Sequence, residues 1–523
     1  MANIQSAKET TELACRSLAT LTPGSIYLPD ELIVKIVNNL QASRKFHVQD
    51  GDLEREGEQR HTAPRAVENR SRRATLWALC LTSKRLYRIS APVLYSAVVI
   101  RLSQFLVSLE LVLLHRTMSE RPALATNISY VECLGGSIHN ISKEDWKTHP
   151  EWRKLCEALT KSARLTWHGE TLQRWNDSLH YRTDAAHLAL LILATPNIEH
   201  MSLDIRGVDT NWVHGREPGL LDFIGLTIES HHPPPLKSHG FAKLERLSLE
   251  GPYYEYVDLP VHYNRSLQKL PVLRHYQHAA ACPMSIRLPP SIFGAVNTLH
   301  LVYTDNSDSY DQIAEIVRES VALKEFSLAW YEASELDLQS LSDSLAQHEE
   351  TLEYLEINWH ESCRFDNLWI DPLKSLAGFK QLTSLVITDL AITGIPNRLD
   401  KLYLWVGEES EPLFRISAYL PRSLKNLILI QRKDWLPGKV IALWELADNL
   451  ANLPNLRYIH IVHVHESDWD LVALTERFLD RGVEFSHSRK LEGRHWPLRT
   501  HAAALEDYLP DGLVWLDEED KCE

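Results

Sequence analysis

The sequence predicts an α/β fold: a solenoid of repeated strand and helix units, with a curved parallel sheet and outer helices, preceded by a small all-helical module. An apolar motif with fixed internal spacing recurs eight times between residues 198 and 461. Helical periodicity fills several of the intervals between the motifs. Residues 26–40 and 75–90 instead have helical periodicity with apolar residues on more than one face, which favours a separate helical module.

The stretch "IYLPDELIVKIVNNL", residues 26–40, predicts the first helix. Pro29 is tolerated in a first turn, and Asp30 and Glu31 place negative charge at the positive end of the helix dipole. The apolar residues of this helix cover a surface too wide for one stripe, so the helix has more apolar surface than its own core needs. They are Leu32, Ile33, Ile36, Val37 and Leu40.

The flanking segments 1–25 and 41–73 are poor in large apolar residues, and we expect both to be flexible. The stretch "TLWALCLTSKRLYRIS", residues 75–90, predicts a second helix that Pro92 ends. Trp77 and Leu81 point away from the apolar stripe of this helix. The helical module, with its insert at 41–73, is therefore assigned to residues 26–100, and residues 93–100 read as a short strand.

From residue 101 to 490 the repeated motif has apolar residues at positions one, four and six. Successive motifs start 46, 52, 27, 29, 30, 42 and 32 residues apart. The shorter intervals match one strand, one helix and two loops, so each unit must stack on its neighbours to bury its apolar face. Residues 491–523 are assigned to a tail. The eight motifs are Ile198/Met201/Leu203, Leu244/Leu247/Leu249, Val296/Leu299/Leu301, Leu323/Phe326/Leu328, Leu352/Leu355/Ile357, Leu382/Leu385/Ile387, Leu424/Leu427/Leu429 and Leu456/Ile459/Ile461, with Ile128/Val131/Cys133 as a weaker ninth.

This motif resembles the leucine-rich repeat in an irregular form. The pattern Leu28-Pro29-x-Glu31, followed by Ile36, Leu40 and then "LWALCLTSKRLYRISAPVLY", resembles the F-box, as in the large fungal families that join an F-box to repeats. The resemblance implies docking on the adaptor subunit, and through it on the cullin, of SCF-type ubiquitin ligases. The adaptor contacts implied by the resemblance are Leu28, Pro29, Ile33, Ile36, Leu40, Leu79 and Leu86. We add Trp77 and Leu81, because they point away from the apolar stripe of the second helix.

An alternative reading is that residues 28–40 simply cap the open end of the solenoid, which needs its first repeat covered. A cap, however, does not require the Leu-Pro-x-Glu pattern or apolar residues on two faces of the second helix. We therefore expect the helices to form a docking module.

Alternation along each strand predicts a concave face with mixed, weakly charged side chains, where a target protein could bind. Tyr303, Trp330 and Trp359 recur at the eighth position of three consecutive units. If the strands end before them, these rings are exposed and suit partner anchoring, whereas if the strands continue, the rings belong to the core. The predicted target contacts are His300, Tyr303, Trp330, Tyr354, Glu356, Trp359, Tyr458 and His460.

Composition and motifs argue against several other functions. The net charge of −15 disfavours nucleic-acid binding, and we predict neither a membrane span nor a secretion signal. The seven cysteines lie at least 23 residues apart, and no nucleophile elbow, phosphate loop or HExxH helix occurs, so we expect no metal, no cofactor and no catalysis. The sequence thus predicts a cytoplasmic or nuclear substrate receptor, or alternatively a repeat scaffold that acts independently of ubiquitination.

Overall fold

A computed structural model describes the chain over residues 28–42, 64–102, 109–135, 184–204, 240–250, 270, 272–280, 290–303, 310–330, 335–359, 369–394, 414–431, 443–463 and 471–489. The chain divides into two compact units. The first, which we call the helical unit, comprises Met1–Ser43 and Glu68–Ser96. The second, which we call the sheet unit, comprises Arg44–Val67 and Ala97–Glu523.

The helical unit contains α1 (Asp30–Asn38), α3 (Lys84–Leu94) and most of α2 (Pro64–Thr82), whose first four residues fall in the sheet unit. The Pro29 carbonyl accepts hydrogen bonds from the backbone N–H groups of Leu32 and Ile33, at 3.1 and 3.2 Å. The predicted start of the first helix is therefore confirmed. Between α2 and α3 the hydroxyl of Ser83 accepts a hydrogen bond from the Leu86 N–H at 3.1 Å, which caps α3.

Three predictions about these helices are wrong. The segment 75–90 is not one helix, because the Ser83 cap starts a new one. Residues 64–73 were expected to be flexible but form the beginning of α2, since a solvated helix needs no apolar stripe when its residues favour helix. Pro92 lies inside α3 rather than beyond it, and the last turn still closes because the Tyr95 N–H donates to the Ala91 carbonyl at 3.0 Å. The predicted flexible segment 1–25, the part of the insert from 43 to 63, and the tail 491–523 lie outside the described residues.

The sheet unit is built on a twelve-stranded sheet in which every described pair of neighbours is parallel, with strand order β1-β2-β3-β4-β5-β6-β7-β9-β11-β12-β13-β14. Strands β8 and β10 form a separate parallel pair. The strands are β1 (Ala97–Leu102), β2 (Tyr130–Gly135), β3 (His200–Asp204), β4 (Arg246–Glu250), β5 (His275–Ala280), β6 (Thr298–Tyr303), β7 (Glu325–Trp330), β8 (Glu335–Asp337), β9 (Tyr354–Trp359), β10 (Trp369–Asp371), β11 (Ser384–Thr388), β12 (Asn426–Ile430), β13 (Tyr458–His463) and β14 (Glu484–Arg489).

Helices connect many of these strands, and they pack on one face of the sheet. Leu355 and Ile357 of β9 share a core with Leu341 and Leu345 of α8, and all four are almost fully buried. Alternation sends the remaining strand side chains to the other face, which we call the far face. The described helices are α4 (Leu109–Glu120), α5 (Pro122–Ala125), α6 (Asp184–Ala194), α7 (Tyr310–Glu319), α8 (Leu338–Leu345), α9 (Asp389–Thr393), α10 (Leu443–Asp448) and α11 (Leu471–Leu479), with short 3-10 turns at Gly240–Lys243, Pro290–Ala295, Ala346–His348, Ile416–Ala418 and Leu450–Asn452.

The α/β class is confirmed, and each of the eight predicted motifs coincides with a strand of the large sheet. The weaker ninth motif is β2, whose Val131 and Cys133 are buried. Strand β5 was not predicted, because His278 occupies a position that the eight predicted motifs fill with Leu or Ile. Burial lowers the pKa of His278 to about 3, so this imidazole is neutral in the core. The sheet starts at Ala97, ahead of the predicted boundary at residue 101.

Candidate docking surface

The helical unit exposes large apolar side chains on its helices. Ile36 of α1 is 54% exposed, and Trp77 and Leu81 of α2 are 60% and 66% exposed. Leu32 and Ile36 lie one turn apart on α1, and Trp77 and Leu81 lie one turn apart on α2, so each pair forms an exposed apolar strip on its helix. Exposed apolar strips of this kind mark interaction sites more often than single exposed residues do. We call the set formed by Leu32, Val34, Ile36, Trp77, Leu81 and Tyr87, all exposed, the docking surface.

Helical geometry explains which apolar residues remain outside. On α1, Val37 is buried while its neighbour Ile36 points outward, because successive residues on a helix are about 100° apart. On α2, Leu76 is buried, and the adjacent Trp77 is exposed together with Leu81 one turn later. On both α1 and α2, therefore, one apolar face is buried and a second apolar face is exposed.

Polar contacts hold both ends of α1. At its start, Asp30 accepts hydrogen bonds from Arg85 at 2.6 Å and from Arg88 at 2.7 Å, both on α3. Arg85 also donates to the Leu28 carbonyl. The Arg85 guanidinium holds the pKa of the Asp30 carboxyl below its ordinary value of 3.8. We call this contact the Asp30 clamp.

At the other end of α1, the Gln41 carbonyl accepts a hydrogen bond from Arg72 of α2 at 2.7 Å. The Gln41 side chain donates to the hydroxyl of Ser96 at 3.4 Å. Because charged and polar groups position α1 at both ends, its apolar residues need not be buried to fix its orientation. This arrangement leaves Leu32, Val34 and Ile36 available to another molecule.

None of the nine predicted adaptor contacts is buried in the helical unit. Four are exposed and five are half-buried. The exposed ones are Pro29, Ile36, Trp77 and Leu81, and the half-buried ones are Leu28, Ile33, Leu40, Leu79 and Leu86. Leu32, Val34 and Tyr87 are exposed as well, and none of the three is among the predicted contacts. Only Leu32 carried a signal in the sequence, through its place on the wide apolar surface of α1.

The predicted target contacts lie in a different environment from the one expected. Among the described side chains, His300, Trp330, Tyr354, Glu356, Tyr458 and His460 are all buried. The expectation of an exposed face is therefore wrong for the five other than Trp330, and for Trp330 the core alternative is the one observed. Trp330 lies in the core on the helix face because β7 continues through it and alternation turns the ring inward. Tyr303 and Trp359 likewise end strands β6 and β9, and their side chains lie outside the described residues.

The far face carries polar side chains that bind one another. Glu356 accepts hydrogen bonds from Ser327 at 2.8 Å and from Tyr354 at 3.0 Å. Glu132 accepts one from Tyr130 at 2.8 Å. Beside Tyr354 lies an apolar cluster with Val386, Ile428, Ile430 and Val462. The described part of the far face is thus a buried surface on which several polar groups bind one another, not an open strip of mixed side chains.

Within the described residues, no cluster of histidine, cysteine and carboxylate side chains has the arrangement needed to hold a metal ion. The described helices also include none with both the length and the apolar character required to cross a bilayer. Comparison with known protein families and with curated proteins finds no family and no protein that this chain matches.

Proposed function

We propose that this protein is the substrate-recognition subunit of an SCF-type cullin-RING ubiquitin ligase. In this proposal the docking surface of the helical unit binds the adaptor subunit, and the sheet unit holds a target protein. The observation that carries the proposal is the exposure of Ile36, Trp77 and Leu81 on helices that follow the Leu28-Pro29-x-Glu31 pattern.

The size of the exposed side chains supports a stable complex. Moving one Leu or Ile side chain from water to an apolar contact contributes roughly 1.5–3 kcal/mol. Interfaces depend mainly on a few such residues, and Trp is among the commonest of them. The docking surface offers a tryptophan and several aliphatic side chains that can supply such contacts.

In this role the protein contributes proximity rather than chemistry. Holding a target next to a ubiquitin-conjugating enzyme raises the effective concentration of the target's lysines. No reactive group in this chain is required. Because the predicted target contacts are buried, the proposal assigns named residues only to the adaptor side and leaves target recognition to the sheet unit as a whole.

A pull-down of the full-length chain with purified adaptor tests the proposal. We expect the wild-type chain to bind, and binding to be lost when Leu28 and Pro29 are both replaced by Ala. We also expect Ile36→Ala with Leu81→Ala to weaken binding about 100-fold or more, because both side chains would be buried in the complex. A matched control is Val472→Ala with Leu479→Ala, two exposed apolar residues of α11 in the sheet unit, which we expect to bind like wild type.

Failure of the wild-type chain to bind the adaptor contradicts the proposal. Equal loss of binding in the α11 control contradicts the assignment of the docking surface. The alternative function, a scaffold that acts independently of ubiquitination, predicts adaptor-independent partners. Enrichment of ubiquitinated partners when the wild-type chain is expressed, but not the Leu28/Pro29 variant, separates the receptor from the scaffold.

A further inference from the structure

We propose that the partner surface covering the helical unit is acidic around an apolar centre, and that the attraction between the charges speeds association. This inference rests on the proposed function, because it describes the surface that the adaptor presents to this chain. It adds a second group of side chains, basic and exposed, to the apolar docking surface.

The helices are basic although the whole chain is acidic. Residues 28–42 and 64–96 contain eight Lys and Arg but only three Asp and Glu, whereas the full chain has a net charge of −15. A local excess of positive charge on an acidic chain does not follow from overall composition. It indicates a local electrostatic environment suited to a negative partner.

The basic residues lie beside the exposed apolar ones. Arg70, Arg73, Trp77 and Leu81 follow one another at intervals of three and four residues, so they occupy one face of α2. All four side chains are exposed. Lys84 begins α3 and is exposed as well. A partner that covers Trp77 and Leu81 would therefore also approach Arg73.

Much of the acidic charge of these helices is already engaged. Asp30 is held by Arg85 and Arg88, and Glu68 pairs with Arg72 at 2.5 Å. In contrast, neither Arg73 nor Lys84 has an ion pair or a side-chain hydrogen bond within the described part of the chain. No acidic side chain in the described ranges compensates their charge, so it is available to a partner.

The physical consequence is a requirement on the partner. Covering Arg73 or Lys84 with an apolar surface would remove water from an unpaired charge, which is unfavourable, whereas a facing carboxylate compensates it. Complementary charges at the edge of an interface mainly raise the association rate. Exposed Ile36 and Leu81 favour a protein partner over a phosphate backbone, because aliphatic side chains contribute little to phosphate contacts.

The test measures association and dissociation rates of the full-length chain with purified adaptor in low and high salt. Between about 50 and 500 mM NaCl we expect the wild-type association rate to fall about tenfold, because salt screens the attraction.

At low salt, Arg73→Glu with Lys84→Glu should lower the association rate about tenfold and change the dissociation rate less than about threefold. The control, Arg457→Glu with Arg481→Glu, makes the same change in net charge at exposed positions of the sheet unit and should stay within about twofold of wild type.

A wild-type association rate that does not depend on salt overturns the inference, and so does a charge-reversed α2–α3 variant that behaves like its control. Binding of a DNA duplex or of phosphatidylserine vesicles that displaces the adaptor would also overturn it, since the basic residues would then serve phosphate. Circular dichroism verifies that the variants fold, and the wild-type salt series requires no substitution. If the adaptor does not bind the wild-type chain at all, the proposed function fails and this inference fails with it; if only the charge effects are missing, docking stands.

Discussion

At the residue scale, Glu356 shows how a side chain predicted to meet a target instead stabilises the sheet. Its carboxylate is 1% exposed and accepts hydrogen bonds from Ser327 and Tyr354. A buried carboxylate is tolerated when donors surround it, and its removal leaves those donors unsatisfied. The sequence shows that Glu356 points to the far face, but not that this face is buried.

We therefore predict that Glu356→Ala destabilises the protein. Loss of a buried charged acceptor with two hydroxyl donors should lower the free energy of unfolding by about 2–4 kcal/mol, measured by urea denaturation. The control is Glu353→Ala in the turn before β9, where an exposed carboxylate pairs with Lys324 at 2.7 Å. That exposed pair should contribute less than about 1 kcal/mol. Equal losses in the two variants would contradict the buried role of Glu356.

Trp330 illustrates what alternation can and cannot predict. Two readings of the aromatic residues at the eighth motif position depended on where the strands end. The structure extends β7 through Trp330, and the ring is fully buried with the helix-face core. Strand ends depend on hydrogen bonds to neighbouring strands, and one sequence does not show which strands are neighbours, so the sequence could not decide between the two alternatives.

At the element scale, the repeats were predictable wherever apolar residues filled all three motif positions. Strand β5 was missed because His278 stands at the sixth position, and a search for apolar residues does not count a histidine even when it is neutral and buried. The division of α2 from α3 escaped for a different reason. The Ser83 cap is a single side-chain hydrogen bond, and serine is too common for its identity alone to mark a helix start.

The start of α1 was predicted from Pro29 and the two acidic residues after it, but the sequence assigned both carboxylates the same role. The structure separates them, because Asp30 contacts Arg85 and Arg88 across 55 or more residues, whereas Glu31 is exposed. Long-range pairs of this kind cannot be read from one sequence. The Asp30 clamp is therefore the part of the site that required a structure.

We predict that Asp30→Ala loosens α1. Amide hydrogen exchange in residues 30–38 should become roughly tenfold faster, because the helix loses its contact with α3. The matched control is Glu31→Ala, which removes a neighbouring charge from the same helix end and should change exchange much less. Similar acceleration in both variants would mean that charge at the helix terminus, and not the clamp, holds α1.

The pH dependence of the clamp follows from the lowered pKa of Asp30. A carboxyl whose pKa is lower in the folded than in the unfolded protein stabilises the fold above the unfolded pKa, and the effect is lost as pH falls through the folded pKa. The clamp is therefore intact at neutral pH and should weaken only in acid below the ordinary carboxyl pKa of 3.8. Exchange of wild type and Asp30→Ala should accordingly differ at neutral pH.

At the scale of the whole molecule, the two units divide the proposed work. The described part of the sheet unit buries its motif residues in one continuous core with the helices. The helical unit exposes large apolar side chains at a higher density along the chain than the described part of the sheet unit does, and basic residues lie beside them on α2. Two different periodicities in the sequence predicted a helical part and a repeat part. The predicted boundary between them was a few residues too late, and the far face, which was expected to be exposed, is buried.

The central claim is that the docking surface of the helical unit is covered by the adaptor. Hydrogen exchange of the full-length chain with and without purified adaptor tests it most directly. We expect adaptor to slow exchange in residues 30–38, in the second half of α2 and in α3, and to leave strands β6 to β14 unchanged. Protection located in the sheet unit, or an adaptor complex that leaves all three helices as exposed as before, would contradict the claim.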